Sequence, residues 1–273
     1  MGNEREFFMK MNYQITILRP AGNDTALVKG IVEKKLRKKI NDTLLRKYPN
    51  VEQVGFYSFD EKNNLARLEM AGGEFCGNAT RSLAYLLLRG KKGRLRMRVS
   101  GTKRLLKTGI KTKNTSFAQI PIEKSFTSIK QLDKNIYKVE LKGITHLVVP
   151  FSKEKDLKTE GKKLLKQYNL LTTVPASGVM FIKEVKNEIK MEPIVWVRDI
   201  QTLFYETACA SGTTAVGLWK ATAEKKHRFT YSVGQPSKEN LTVLIEKNNK
   251  SFVNATIYGP IKKLLEEEVN LNE

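Results

Sequence analysis

The stretch Glu74-Phe75-Cys76-Gly77-Asn78-Ala79-Thr80-Arg81 places one cysteine among small residues, where a strand-like run ends and an apolar helix-like run begins. A second stretch, Glu206-Thr207-Ala208-Cys209-Ala210-Ser211-Gly212-Thr213, repeats this arrangement about half a chain length later. The chain has no other cysteine. We therefore interpret the protein as two halves, each organised around one cysteine.

The composition is that of a globular protein with a strong excess of basic residues. With 273 residues, 40% of them hydrophobic, the chain is long enough for a large core in one or two domains. The formal charge of +21 raises the alternative of a basic nucleic-acid-binding protein. Lysines are spread along the whole chain and no arginine-aromatic patch stands out, so we favour a solvated basic surface and no nucleic-acid partner.

No targeting or membrane segment is evident in the sequence. No run of 18 apolar residues occurs, so we expect no transmembrane helix and no membrane partner. Residues Met1–Arg19 contain Glu4 and Glu6 and lack the apolar core of a signal peptide. We predict a cytoplasmic protein, in which both thiols stay reduced.

The order strands, helix, strands, cysteine, apolar helix, strands occurs twice along the chain. Amphipathic helices are predicted over Ile31–Tyr48 and Leu157–Leu171. The run after each cysteine is apolar nearly all round, which is typical of a buried helix. The sequence thus predicts an α+β fold with an N-terminal half over residues 1–124 and a C-terminal half over residues 125–261.

Each cysteine is predicted to lie at a helix N-terminus, where free amides and the macrodipole favour an anion and lower the pKa of a thiol. Gly77-Asn78 and Ser211-Gly212 would let the backbone approach a ligand carboxylate. Two thiols facing one ligand suit proton removal from one side of a carbon and delivery to the other, which inverts configuration. The alternative is that each cysteine is an ordinary buried residue.

The two cysteine motifs resemble those of the diaminopimelate epimerase family of cofactor-independent amino-acid racemases. Cys76 to Arg81 resembles that family's Cys-Gly-Asn-Gly-x-Arg, with Ala79 in place of glycine. Glu206 to Gly212 resembles its Glu-Thr-x-Ala-Cys-Gly-[Ser/Thr]-Gly, one residue shorter before the cysteine and with Ala210 in place of glycine. Further similarities are Gly22-Asn23-Asp24, Gln53-Val54, Gly143 to Val148 with His146, and Gly259-Pro260.

The departures from the family pattern point to a different substrate side chain. Ile200-Gln201-Thr202-Leu203 stands where the family has a Glu-Arg pair, Ile144 replaces an asparagine, and the asparagine expected near Gly178 is absent. In the family these polar groups hold the far end of diaminopimelate. The pattern from Glu52 to Phe56, taken with the cysteine stretches, is closer to the histidine racemases of this superfamily.

The resemblance implies a diaminopimelate epimerase-like fold: two pseudo-symmetric domains, each with a β-sheet or barrel around a buried central helix, and a C-terminal tail (262–273) returning to the first domain. It implies a PLP-independent isomerase that racemises histidine, with diaminopimelate epimerase or a racemase of another amino acid as the alternative. The expected partner is a small amino acid. No cofactor motif and no metal site is predicted, and the oligomeric state stays open, a homodimer included.

By the same resemblance, Cys76 and Cys209 are the two catalytic bases. The residues expected to bind substrate are Asn23, Glu52, Gln53, Gly77, Asn78, His146, Glu206, Ser211, Gly212 and Thr213. Three of these have open alternatives. Glu52 either holds an imidazole N–H or is a solvated loop carboxylate, His146 either polarises the site or packs, and Glu206 either orients the substrate amine or caps the second helix.

Overall fold

A computed structural model describes residues 12–123, 126–151, 156–186, 188–249 and 251–270. Within these residues, runs of alternating apolar residues form sixteen strands, and four longer amphipathic or apolar runs form helices. The elements of the first half are β1 (Asn12–Pro20), β2 (Asp24–Lys29), α1 (Lys34–Lys47), β3 (Val51–Asp60), β4 (Leu65–Met70), α2 (Gly77–Leu87), β5 (Gly93–Val99), β6 (Leu106–Thr112) and β7 (Thr115–Ile120). Those of the second half are β8 (Ser128–Asp133), β9 (Ile136–Leu141), β10 (Ile144–Pro150), α3 (Leu157–Gln167), β11 (Ala176–Val185), β12 (Glu188–Val197), β13 (Thr202–Tyr205), α4 (Ala210–Thr222), β14 (Arg228–Gly234), β15 (Asn240–Lys247) and β16 (Phe252–Asn270).

The strands of the first half follow one another through the sheet in the order β1 to β7. The pairs β2–β3 and β4–β5 are parallel and the others antiparallel. Strand β16 pairs through its first part with β7 and through its second part with β1, so the strand pairings lead from β1 through β7 and β16 back to β1. Helix α2 contacts the strands of this half, most of all β7 and β6.

The second half repeats these pairings in the same order. Strands β9 and β10 are antiparallel, β10 and β11 parallel, β11 and β12 antiparallel, β12 and β14 parallel, and β14, β15 and β16 antiparallel. Helix α4 takes the place that α2 has in the first half, against β9, β10 and β15. Each cysteine therefore precedes a helix that packs on a similarly ordered set of strands within the single sheet.

The long strand β16 connects the halves. Its first part pairs with β7, and its second part, Ile261–Asn270, pairs with β1. The last three residues of the predicted tail, and the predicted boundary between residues 124 and 125, lie outside the described residues.

Both central helices are buried, and most of their residues are small or apolar, with Arg81 of α2 the main exception. All residues from Gly77 to Ala84 of α2 are buried, as are those from Ala210 to Leu218 of α4. This agrees with the burial expected from the apolar runs after the cysteines. The N-termini of the two helices meet closely, since a Cβ at Gly77 would lie 2.9 Å from the Cβ of Ala210.

Several element boundaries differ from the sequence prediction. The helix predicted over Leu157–Leu171 ends at Gln167, because Asn169 takes a positive φ of 57° that ends the helical turn. Strands β8 and β13 were not predicted. Strand β8 is mostly exposed, so its residues lack apolar alternation, and β13 is only four residues long. None of the described helices is both long and apolar enough to cross a membrane.

Candidate active site

The two cysteines cap their helices in nearly the same way. Cys76 caps α2 with φ −128° and ψ 113°, and its sulfur accepts a hydrogen bond from the Ala79 amide at 3.3 Å. Cys209 caps α4 with φ −124° and ψ 109°, and its sulfur accepts from the Gly212 amide at 3.3 Å. Because each sulfur replaces a missing carbonyl at a helix start, both thiols are held in one orientation.

Both cysteines line one internal cavity between the two halves. Its wall is made by Asn41, Glu52, Gln53, Val54, Ala71, Glu74, Phe75, Cys76, Gly77, Asn78, Ile144, Val195, Val197, Ile200, Thr202, Phe204, Glu206, Cys209, Ala210 and Ser211. The enclosed volume of about 30 Å³ accommodates a water molecule but no amino acid. An amino acid therefore fits only if residues of this wall move apart. Of the described residues, no three His, Cys, Asp or Glu side chains are grouped as metal ligands.

A chain of polar contacts connects the two thiols across this cavity. The Cys76 thiol donates to Gln53 Oε1 at 2.7 Å, and Gln53 Nε2 donates to Glu206 Oε1 at 2.7 Å. The negative charge of Glu206 in turn raises the pKa of the Cys209 thiol. One carboxylate thus affects both sulfurs, and Gln53 orients it from the first half.

Glu52 connects the halves instead of projecting into solvent. It lies in β3, where its carboxylate accepts from Asn23 Nδ2 at 2.6 Å and from the Thr207 hydroxyl at 2.5 Å. The Thr207 amide adds contacts of 3.1 and 3.2 Å to its two oxygens. Burial, then the charge of Glu206, raises the pKa of Glu52 to about 8. The alternative that Glu52 is a solvated loop carboxylate is therefore wrong. Glu52 lies on a paired strand, which places its carboxylate between the two halves.

The prediction that the helix N-termini lower the thiol pKa values is also wrong for this structure. Burial raises the pKa of both thiols well above the usual range, and the negative charge of Glu206 raises them further. The amide hydrogen bonds act in the opposite direction, but they do not compensate for the loss of water around a thiolate. In the closed conformation both sulfurs are therefore protonated at neutral pH.

Not all predicted site residues reach the cavity. Eight of them line it: Glu52, Gln53, Cys76, Gly77, Asn78, Glu206, Cys209 and Ser211. Asn23, His146, Gly212 and Thr213 lie behind it. Asn23 supports Glu52, and the hydroxyl of Thr213 donates to the carbonyl of Cys209 at 2.8 Å. Gly212 leaves room for Met180, whose sulfur would lie 2.1 Å from a Cβ at that position.

His146 is fully buried on β10, and neither ring nitrogen has a hydrogen-bond partner. Burial lowers its pKa to about 3, so the ring is neutral. A Cβ on Gly178 would lie 2.8 Å from its Nδ1, which places the ring against the neighbouring strand β11. In this conformation His146 packs behind the cavity.

Three further residues belong to the site although the sequence analysis did not assign them to it. Glu74 and Thr202 line the cavity, and Glu74 stands in the stretch that carries the first cysteine. Arg81 is fully buried one turn into α2 and donates to the Pro260 carbonyl at 3.1 Å. Burial lowers the pKa of Arg81 to about 9, while the charge of Cys76 opposes that shift. This cation favours a thiolate at Cys76.

We expect the stability of the empty protein to fall as the pH rises from about 6.5 to 8. Burial raises the pKa of Glu74 and Glu206 to about 7 and that of Glu52 to about 8, from 4.5. A carboxyl group whose pKa is higher in the folded than in the unfolded state stabilises the folded protein at low pH. This stabilisation is complete below the unfolded pKa of about 4.5 and is lost as the pH rises through the folded pKa. His146, with its pKa lowered from 6.5, opposes this trend only below pH 6.5.

The decrease should be on the order of 1 kcal/mol per pH unit or more, because each pKa unit corresponds to about 1.4 kcal/mol. It is measured by urea unfolding at each pH. Glu206→Gln should flatten the curve between pH 6.5 and 8, and Glu61→Gln, in an exposed turn, should leave it unchanged. A stability that rises through this window would contradict the assignment.

Comparison with known protein families gives a match over nearly the whole chain. The family described as "Histidine racemase CntK N-terminal domain" matches residues 9–265. A histidine racemase of Fusobacterium nucleatum subsp. nucleatum is 34% identical over 216 residues, which cover 74% of this chain and 79% of that protein. A histidine racemase from a second strain is 29% identical over 94% of this chain and 96% of its own length. One from Staphylococcus aureus is 26% identical over 80% of this chain and 83% of its own length.

Solved structures of epimerases share the fold. A hydroxyproline epimerase from Agrobacterium vitis superposes with a TM-score of 0.69 at 13% identity, over 97% of this chain and 94% of its own. A predicted epimerase from Pseudomonas aeruginosa gives a TM-score of 0.61 at 11% identity, over 94% and 99% of the two chains. The architecture is thus that of proline racemase-like and related epimerases. Since the family match covers both cysteine motifs and almost the full length, this chain belongs to the histidine racemase family.

Proposed function

We propose that this protein is a cofactor-independent racemase that interconverts L- and D-histidine, with Cys76 and Cys209 as the two bases. The observation that carries the proposal is the pair of thiols, each capping a buried helix and both lining one cavity. Membership of the histidine racemase family supports histidine as the substrate. Diaminopimelate is disfavoured as the substrate, because Ile200 and Thr202 stand in the region where diaminopimelate epimerases have the Glu-Arg pair.

The α-carboxylate of the substrate binds between the two helix N-termini. The first amides of α2 and α4, at Gly77, Asn78, Ala210 and Ser211, have no carbonyl partner within their helices. All four residues line the cavity. Their amides and the helix macrodipoles favour a negative charge at this point. This positioning presents Cα between the two sulfurs.

The reaction consists of two proton transfers on opposite faces of Cα. The thiolate of one cysteine forms an S–H bond as the Cα–H bond breaks, and the electron pair moves into the carboxylate. The N-terminal amides stabilise the charge that develops on the carboxylate oxygens. The opposite thiol then gives its proton to Cα, so its sulfur becomes the thiolate. At the end the first sulfur is a thiol and the second is a thiolate, so the two have exchanged protonation states. The configuration at Cα is inverted.

Substrate binding is what allows one thiol to ionise. In the closed site both thiol pKa values are raised by burial and by the charge of Glu206. A substrate ammonium that pairs with Glu206 offsets this charge and brings a cation close to the sulfurs. Glu206 also interacts with Cys209 and can accept its proton. The active ionisation state thus forms only when the ligand is present.

We further propose that residues 1–124 and 125–261 are duplicated domains of the diaminopimelate epimerase-like fold. The repeated order of parallel and antiparallel pairs around α2 and α4 supports this division. In that arrangement each domain supplies one base, and Glu52 and Gln53 of the first domain reach Thr207 and Glu206 of the second.

The proposal is tested by incubating the reduced protein with L-histidine in deuterated water. We expect deuterium to enter at Cα and the optical rotation to decay to zero, because the enantiomers are equal in free energy. Diaminopimelate and other L-amino acids are compared in parallel. Turnover of diaminopimelate but not histidine would overturn the substrate, and a lack of exchange with every amino acid would overturn the reaction.

A further inference from the structure

Three unpartnered oxygen atoms are concentrated at the cavity. Among the described residues, the buried side-chain atoms without a hydrogen-bond partner include Glu74 Oε2, Glu206 Oε2 and Thr202 Oγ1. All three belong to side chains that line the cavity. Glu74 and Glu206 are only 6% and 4% exposed, so bulk solvent does not reach these oxygens. A buried acceptor without a protein donor is costly, so a ligand that donates hydrogen bonds would be favoured here.

The charge of the cavity also favours a ligand with N–H donors. Glu52, Glu74 and Glu206 line it, and none of the lysines or arginines that the structure describes does. Burial raises the pKa of Glu74 to about 7, with contributions from the charges of Glu206 and Asp199 that face it. A ligand that is cationic and donates N–H bonds would relieve this accumulation of acceptors.

The three carboxylates differ in what remains free. Both oxygens of Glu52 already accept from Asn23 or Thr207. Glu206 contacts Gln53 and influences both sulfurs, so its free oxygen lies close to the reacting carbon. Glu74 is the remaining carboxylate. If the substrate ammonium binds at Glu206, Glu74 is available to bind the side chain of the substrate.

The surroundings of Glu74 suit a flat ring with an N–H at its edge. The backbone amides of Gly72 and Glu74 lower the pKa of the carboxyl, against the larger effect of burial. A Cβ on Gly72 would lie 2.7 Å from Glu74 Oε2 and 2.3 Å from Val197, so glycine is needed beside this oxygen. Val197 and Ile200 supply apolar contact, and Thr202 adds a second free acceptor on the same cavity wall.

We propose that Glu74 Oε2, assisted by the Thr202 hydroxyl, accepts the ring N–H of the substrate and is the residue that selects histidine over amino acids with apolar rings. This inference rests on the proposed histidine racemase function and replaces Glu52 by Glu74 as the imidazole-binding carboxylate. Glu52 then serves to hold the two halves together.

The first test is Glu74→Gln, compared by the KM for L-histidine and the inhibition constant of L-2-thienylalanine, whose five-membered ring has no N–H. We expect KM for histidine to rise at least tenfold, with kcat falling less, and the inhibition constant to change less than twofold. Asp199→Asn is the matched control, because it removes a nearby charge that does not line the cavity. It should leave both constants within twofold.

Thr202→Val is the second variant, since it keeps the side-chain shape and removes only the unpartnered hydroxyl. We expect KM for histidine to rise about three- to tenfold, while the thermal midpoint of the empty protein rises or stays equal. A purely structural role would lower the midpoint and affect both ligands alike.

The inference is overturned if Glu74→Gln leaves KM for histidine within twofold, or weakens thienylalanine equally. The same holds if Thr202→Val has no effect on KM while Glu74→Gln weakens both ligands. Failure of the underlying function is recognised separately, because the unmodified protein would then exchange no α-deuterium into histidine.

Discussion

Replacing Cys76 or Cys209 with serine is expected to lower kcat for histidine racemisation by about 10³- to 10⁴-fold. In the proposed mechanism each thiol performs one of two obligatory proton transfers, and a positioned acid or base contributes up to about 10⁴-fold. Serine keeps the size of the side chain and its capping role, but its hydroxyl is a far weaker acid. Because the two groups act as a unit, the double variant should be little worse than either single one.

The remaining cysteine in each single variant makes the prediction sharper. Its thiolate can still remove the proton from the face that it contacts, so residual deuterium exchange should be confined to one enantiomer of histidine. Cys76→Ser and Cys209→Ser should therefore show opposite preferences for L- and D-histidine. Exchange is followed by proton NMR and chirality by chiral chromatography.

Serine is accepted at helix N-caps, so we expect both variants to fold. Their thermal midpoints and circular dichroism serve as the control. Retention of racemisation within tenfold of the unmodified protein in either variant would contradict the two-base mechanism, and so would exchange of both enantiomers in both variants.

Replacing Glu206 with glutamine is expected to change turnover and thiol reactivity in opposite directions. The amide can still accept from Gln53, so the geometry is kept while the charge is lost. We expect kcat/KM for histidine to fall by about 10²-fold or more, because the substrate ammonium loses the carboxylate that we propose it pairs with.

The thiols of the empty Glu206→Gln variant should nevertheless react faster with iodoacetamide. The charge of Glu206 raises the pKa of both cysteines, so its removal lowers them. Lower thiol pKa values increase the fraction of thiolate at about pH 8.5, and the thiolate is the form that iodoacetamide alkylates. Alkylation is followed by mass spectrometry of each cysteine peptide.

The exposed-turn variant Glu61→Gln carries the same change of charge and should alter neither quantity. Slower alkylation of both cysteines in Glu206→Gln would show that Glu206 acts as a base that activates the thiols in the empty protein. An unchanged kcat/KM would remove Glu206 from the site.

Much of this architecture follows from local sequence patterns. The two apolar helices and most strands were predicted because alternation and helical periodicity are strong in them. The role of each cysteine as an N-cap follows from its position between a strand and a helix. The prediction failed where the signal was weak: β8 is mostly exposed, and β13 spans only Thr202–Tyr205.

The site itself was predicted only in part. Gln53 and Glu206 were expected in the pocket, but their contact with each other joins residues 153 positions apart. Such pairs follow from strand order and not from local sequence. Thr202 was noted only as part of a stretch that departs from the family pattern, and Glu74 as part of the cysteine motif, since a carboxylate has no periodic signal that marks it as buried.

By itself the sequence determined the repeated order of elements, the two helix-capping thiols and the family, because these depend on residue types at short spacing. Only the tertiary structure decided the ionisation of the site and which carboxylates are free. The physical reason is burial. Packing the two halves together removes water from Cys76 and Cys209 and raises their pKa values against the effect of the helix ends. The same packing satisfies Glu52 and leaves oxygens of Glu74 and Glu206 without a donor.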